Sequence, residues 1–324
     1  MEQGIMETKY VVGVDVGGQT TKLGVVDTEG SVLTQTVIRS DTFGDDAGAY
    51  IDALAEAVKG IIKESGTEGK ILGIGVGAPN GNHYTGTIDF APNLAWAANG
   101  EVEFARMLTS KVGIPVSLTN DANAAAVGEM TYGVAKGMKN FIMITLGTGV
   151  GSGIVIDGNL VYGHDGFAGE LGHTCAVRES GRVCGCGKTG CLETYCSAIG
   201  VARTAKEWLE TGSEDSLLRD MEDITSKDVY DAAKKGDALA LRVFEYTGLL
   251  LGRSFADFVA FSAPEAIVLF GGLARSGEFL YEPVKKAMDD NLLKIWKGKV
   301  KILFSQLKES DAAILGASAL AWKL

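Results

Sequence analysis

The stretch from Phe141 to Asp157, FIMITLGTGVGSGIVID, constrains this chain more than any other. An apolar, β-favouring run, a glycine-rich segment and Ile154-Val155-Ile156 predict strand, tight turn, strand. Laid over it without gaps, Val11 to Asp27, VVGVDVGGQTTKLGVVD, places Gly17 on Gly147, Val25 on Val155 and Asp27 on Asp157. The shared order predicts two related halves, each contributing one glycine hairpin. Glycine tolerates positive φ and has no Cβ, so successive N–H groups can line a concavity that a phosphate can approach. Thr148 and Ser152 in one hairpin, and Thr20, Thr21 and Lys22 in the other, add hydroxyl donors and a cation. Ordinary β-turns are the plainer alternative, and neither segment has the GxxxxGK[ST] spacing or a strand-to-helix GxGxxG.

A length of 324 residues predicts about two domains, each with its own core. The net charge of −11 comes with no basic stripe, which argues against nucleic acid or an anionic membrane surface as the main partner. The leading MEQGIMETKY lacks the pattern of a signal peptide, and no apolar run reaches the roughly 20 residues of a membrane span. A soluble cytoplasmic protein is expected. All five cysteines lie between Cys175 and Cys196, so reduced thiols and a metal are expected in place of dispersed disulfides.

Along the chain, apolar spacing predicts a helix over 45–63, a strand over 71–77 and a long loop over 78–94, whose Asn80, Asn82 and Asn93 suit sugar hydroxyls. A short helix over 102–108, a strand over 115–118 and an alanine-rich helix through Glu129 follow. Beyond the cysteines come a buried helix from Asp237 to about Phe261, a strand over 266–270, a helix from Ser276, a strand over 300–304 and a last helix over 311–322. Alternating strands and helices give α/β layers, with the boundary between halves near Asp121.

Two clusters carry chemistry. Asp121 follows a strand and precedes a helix; it is either an N-cap or a carboxylate placed to accept a proton from a substrate hydroxyl. His173, Cys184, Cys186 and Cys191, on a glycine-rich segment, predict a closed tetrahedral zinc site of structural type, although Cys175 or Cys196 could replace a ligand. A metal on His173 would also fix Glu170 nearby. His83 and His164 are read as loop residues.

Over almost its whole length the chain resembles the ROK sugar kinases of the actin/hexokinase-like (ribonuclease H-like) superfamily. The residues are Asp15-Val-Gly-Gly18 through Lys22, Pro92-Asn-Leu94, Leu118-Thr-Asn-Asp-Ala-Asn123 with Gly128-Glu129, Leu146-Gly-Thr-Gly149, Gly169-Glu-x-Gly-His173, Cys184-x-Cys-Gly-x-x-Gly-Cys-x-Glu193 and Gly271-Gly272. The resemblance implies a duplicated two-lobed fold with an interlobe active-site cleft, the last helix returning to the first lobe. Residues 1–121 plus 311–324 would form one lobe and 122–310 the other. It implies transfer of the ATP γ-phosphoryl group to a sugar hydroxyl with magnesium, and a homodimer or dimer of dimers.

By the same resemblance Asp121 is the base, and Asn93, Asn120, Glu170, His173 and Glu193 contact sugar hydroxyls, His173 using one ring nitrogen for sugar and one for zinc. Gly17, Gly18, Thr20, Lys22 and Gly147, Thr148, Gly149 match the phosphate segments, Asp15 the carboxylate near magnesium, and Gly271-Gly272 the segment against adenosine. Gln19 departs from the family, since many relatives have threonine there. The expected activity is phosphorylation of glucose to glucose 6-phosphate. N-acetylglucosamine or N-acetylmannosamine kinase is the alternative, then fructose or allose. A sugar-responsive repressor would need a DNA-binding motif, and about ten residues before Val11 are too few for one.

Overall fold

The computed structural model describes residues 9–324; the leading residues 1–8, part of the stretch read above as lacking a signal peptide and a DNA-binding motif, lie outside the described residues. Contacts divide the chain into two units. One runs up to Gly137 and adds Leu160–Ala168 and Gln306–Leu324; the other comprises Met138–Asn159 and Gly169–Ser305.

In the first unit, β1 (Tyr10–Val16), β2 (Thr20–Val26), β3 (Val32–Arg39), β4 (Ile71–Gly77) and β7 (Val116–Thr119) form one sheet, ordered β3-β2-β1-β4-β7. β5 (Ile88–Asp89) and β6 (Glu101–Val102) pair separately within the loop region. β1 is antiparallel to β2 and parallel to β4, which is parallel to β7. β1 is buried along most of its length, whereas β3 alternates half-buried and exposed residues as an edge strand does. α1 (Ala47–Glu64), capped by Asp46 accepting from Ala49 N, turns Tyr50, Ile51, Leu54, Val58 and Ile61 into the core. α2 (Phe104–Val112) joins it, and α3 (Asp121–Thr131) follows β7.

The last helix, α9 (Glu309–Ala319), does return to this sheet, and glycines let it come within backbone distance. A Cβ on Gly13 would lie 2.1 Å from Ile314 O, one on Gly75 1.9 Å from Ala317 O, and one on Gly128 2.7 Å from Gly316 Cα. Gly75→Ala is therefore expected to cost about 3 kcal/mol, because the opposing atom is backbone and cannot rotate away; a denaturation midpoint within error of wild type would refute this.

The second unit repeats the plan. β8 (Phe141–Leu146), β9 (Val150–Ile156), β10 (Asn159–Leu160), β11 (Ala266–Phe270) and β12 (Lys301–Phe304) are ordered β10-β9-β8-β11-β12. Again the first strand is antiparallel to the second and parallel to the strand on its other side. The helices are α4 (Glu193–Cys196), α5 (Ala198–Thr211), α6 (Ser226–Lys234), α7 (Ala238–Ser262) and α8 (Glu278–Asn291). α7 is largely buried, and its Gly248 and Gly252 admit α8, where an added Cβ would meet Pro283 Cβ at 2.3 Å and Val284 O at 2.4 Å.

The gap-free register of the two hairpins holds only for their first strands. Gly17 to Thr20 separate the paired Val16 and Thr21, whereas only Gly147 to Gly149 separate Leu146 and Val150. The second turn is one residue shorter, so the later identities fall one position out of structural register. The kinship lies in sheet order and strand direction. Asp121, taken from sequence as the boundary, opens a helix that stays whole within the first unit; the change of unit comes after Gly137. Among the described residues, no helix is long and apolar enough to cross a membrane.

Candidate active site and metal centre

In the first unit the parallel strands deliver their carboxyl ends to one edge, where α/β sheets place ligands. β1 brings Asp15, β4 leads into the 78–94 loop, and β7 ends at Asn120-Asp121. Asn120 caps α3: its Oδ1 accepts from Ala122 N at 2.8 Å, so Asp121 is the first helical residue and not the cap. Asp121 Oδ1 accepts from the same N–H at 2.8 Å, which holds the carboxylate against the helix end while its surface stays exposed.

The loop asparagines divide. Asn80 Nδ2 donates to Asp89 O and Phe90 O, and Asn82 Nδ2 to Asp165 O, so both amides hold the loop and not a sugar. Asn93 is exposed, and its carbonyl lies 2.7 Å from where a Gly18 Cβ would be, so only glycine fits there. None of Gly17, Gly18, Gly147 and Gly149 has a positive φ; close approach, and not left-handed geometry, is what Gly17, Gly18 and Gly149 answer to. Thr21 is buried with its hydroxyl on Ser40 Oγ (2.8 Å) and Tyr50 OH (2.7 Å), leaving Thr20 and Lys22 as the turn's partly and fully exposed polar side chains besides Gln19. Gln19 keeps its side chain exposed and its carbonyl on Ser40 N.

Burial, then the Asp121 charge, raise the Asp15 carboxyl to about 6, against the opposing pull of Lys22. Asp121 is raised as well, chiefly by the protein packed around its inner side. Neither effect is visible in sequence, where Asp121 reads as an ordinary carboxylate. A carboxyl raised on folding contributes stability that is complete below its unfolded pKa near 3.8 and is lost as pH rises through about 6. Asp15→Asn removes that loss, so its melting temperature should pull ahead of wild type as pH rises from 4 to 8 while turnover collapses. A pH-independent difference in melting temperature would contradict the burial of this charge.

In the second unit a Cβ on Gly149 would fall 2.4 Å from Glu193 Oε2, and one on Gly147 would meet nothing within 4 Å. Gly147 thus leaves an open cradle at the turn. Glu193 Oε2 accepts from Val150 N at 2.9 Å, and Cys184 Sγ lies 3.8 Å from its Oε1, so this carboxylate braces the hairpin against the cysteine loop. Ser152 is likewise committed: it is buried, its Oγ donates to Gly169 O and accepts from Leu171 N, and it offers no hydroxyl to phosphate. Gly172 packs on β9, where any Cβ would meet Val150 O at 2.0 Å.

Beside Thr148, a hollow of about 360 Å³ runs along Arg203, Lys206 and Ser226. Another of about 450 Å³ continues from Ser226 past Tyr230 and Lys234 to Gly272 and Arg275. Both are of ligand size, and they join Thr148 to the paired glycines expected against adenosine. Sequence reading missed Arg203, Lys206, Tyr230 and Arg275, because isolated cations and a lone tyrosine on helical segments look like any solvated surface. A capping box between Thr225 and Asp228 starts α6.

The predicted metal ligands come together. Single donor atoms of His173, Cys184, Cys186 and Cys191 all lie within 4.8 Å of one another, with Cys184 Sγ to His173 Nδ1 and Cys186 Sγ to Cys191 Sγ both 3.7 Å. A tetrahedral zinc with bonds of about 2.3 Å to sulfur and 2.0 Å to nitrogen separates its donors by about 3.5–3.8 Å, so the cluster fits a structural zinc site. Without a cation, burial and hydrogen bonds from Cys186 and Cys184 push the Cys191 thiol up to about 12; a metal would replace that proton. Cys175 is exposed and Cys196 is buried against Thr247 O, so neither replaces a ligand. With Nδ1 facing the thiols, His173 Nε2 lies 3.9 Å from Glu170 Oε2. The buried Arg182, unremarked in sequence, ties the cysteine loop to Thr194 O, Gly200 O and Glu207 and lies over the Tyr195 ring.

Two sheets of one topology, each opening with a glycine hairpin, and a carboxylate at a strand end give the two-unit α/β fold of the sugar kinases. The chain belongs to the ROK family, whose profile matches residues 11–323. It is 40% identical over 290 residues to a glucokinase of Halalkalibacterium halodurans, covering 87% of this chain and 86% of that one. It is 35% identical over 318 residues to a glucokinase of Streptomyces coelicolor, covering 96% of each. Among solved structures, a ROK family glucokinase from Streptomyces griseus, in complex with glucose and AMPPNP, superposes with a TM-score of 0.78 at 33% identity, covering 97% of this chain and all of that one.

Proposed function

We propose that this protein is an ATP-dependent glucokinase that phosphorylates the 6-hydroxyl of glucose, with Mg2+. The observation that carries the reading is the pair of electrostatically coupled carboxylates, Asp15 and Asp121, at the carboxyl ends of β1 and β7. Kinship with glucokinases over most of the chain supports the sugar and the donor. Phosphoryl transfer passes through a loose transition state, so positioning and charge stabilisation dominate. As glucose O6 bonds to the γ-phosphorus, the bond to the ADP oxygen breaks and Asp121 takes the O6 proton. Asp15 would hold Mg2+, and the ion would supply charge neutralisation for the phosphates. Gly17, Gly18 and Thr20 with Lys22, and Gly147 to Gly149, line the phosphates, and Gly271-Gly272 lies against adenosine. Asn93, Asn120 through its free amide nitrogen, Glu170, His173 and Glu193 orient the sugar.

We read the two contact units, with the first change of unit after Gly137, as the two lobes, and the chain works as a homodimer in the cytoplasm. Five unpaired cysteines support a reducing compartment. Scattering mass in solution checks the dimer. The deciding assay is the initial rate with glucose, N-acetylglucosamine, N-acetylmannosamine and fructose, with and without magnesium. Glucose should lead in kcat/KM by about tenfold or more, equivalent to about 1.4 kcal/mol of transition-state preference. An N-acetyl sugar in the lead would overturn the glucose assignment.

A further inference from the structure

Within the first unit, three successive residues of the loop after β4 fasten the segment 162–166. Asn82 Nδ2 donates to Asp165 O at 2.8 Å and Tyr84 OH donates to Gly163 O at 2.8 Å. Between them the His83 ring lies flat on Tyr162, centroids 4.0 Å apart and planes 4° from parallel. The fit leaves no slack, since a Cβ on Gly166, whose φ is +93°, would fall 2.5 Å from Asn82 Oδ1.

The stacked pair grips the end of β7. The Tyr162 hydroxyl lies beside the Thr119 side chain, and the His83 ring beside the backbone of Leu118. Asn123 Nδ2 reaches Thr119 Oγ1 at 3.3 Å, and Ala78 N donates to Thr119 O at 3.0 Å. His83 Nδ1 is buried without a hydrogen-bond partner among the described residues, and burial holds the ring's pKa below its usual value, so His83 acts as a neutral aromatic wedge. Leu118 and Thr119 are the last residues before Asn120 and Asp121, and the direction in which β7 ends fixes where the Asp121 carboxylate stands.

We propose that His83 and Tyr162 are positioning residues for Asp121, acting through Leu118 and Thr119. The inference rests on reading Asp121 as the base. A base acts only within hydrogen-bond reach of its proton, and a displacement of about 1 Å can cost as much as about a hundredfold in rate.

Tyr162→Phe keeps the stack and removes only the hydroxyl beside Thr119; His83→Ala removes the wedge. In the full-length, zinc-loaded protein, each should lower kcat about tenfold while KM for glucose and for ATP stay within about twofold of wild type. Hydrogen exchange should quicken over 117–124 and stay unchanged over 141–146, with the melting temperature of Tyr162→Phe unmoved. Unchanged kcat and unchanged exchange over 117–124 would overturn the proposal, as would a loss that tracks a general fall in stability. Should the wild-type protein leave glucose unphosphorylated, the glucokinase reading fails separately, and the exchange comparison alone decides whether His83 and Tyr162 order the β7–α3 junction.

Discussion

Asp121→Asn should lower kcat by about a thousandfold or more while nearly sparing the affinity for glucose. The amide keeps the size of the side chain and its bond to Ala122 N, so the first turn of α3 survives the change. What it loses is a site for the O6 proton, and removing a positioned general base costs about a hundred- to ten-thousandfold. The variant also removes a charge that raises Asp15, so the Asp15 carboxyl should move back toward its ordinary value. Binding of glucose by calorimetry separates the two effects. Turnover within tenfold of wild type would remove Asp121 from the role of base, and a parallel loss of glucose affinity would make it a sugar ligand.

Removing the metal should have the second large effect. Chelation leaves Cys184 and Cys191 thiols whose burial favours their protonated forms, and Cys191→Ser removes one of the four donors. Without the metal the four donors are no longer held together, so the 173–191 loop should loosen, and His173 and Glu170 should lose their fixed spacing. The melting temperature should fall by about 10 °C or more, equivalent to about 3 kcal/mol for a domain of this size. Activity should return with one equivalent of zinc in the chelated wild type and not in Cys191→Ser. Purified protein that carries no zinc and is fully active would refute the site.

The cysteine cluster was legible because its ligands lie close in sequence on a turn-forming segment, so local chain geometry nearly suffices to gather them. The hairpins were legible for the same reason, but their register was not: one residue fewer in the second turn is invisible to a gap-free comparison of glycine-rich strings. Side-chain roles were the least readable. Thr21, Ser152, Asn80 and Asn82 have the chemistry of ligand donors, yet each spends its polar atoms inside the protein. Which hydroxyl or amide remains free depends on neighbours distant in sequence.

From the sequence alone come the alternating strands and helices, the paired halves, the metal ligands and the residues that carry the family likeness, all encoded in period, spacing and short motifs. The tertiary structure decides the rest. Asp15 becomes a weak acid because folding buries it beside Asp121. Glu193 becomes a brace because the cysteine loop brings it to Val150 N. His83, a loop residue by its spacing, becomes a wedge under the strand that ends at Asp121 because the segment after β10 is pinned across it. Each of these depends on the distance and dielectric between groups far apart in the chain, quantities that exist only after the backbone has folded.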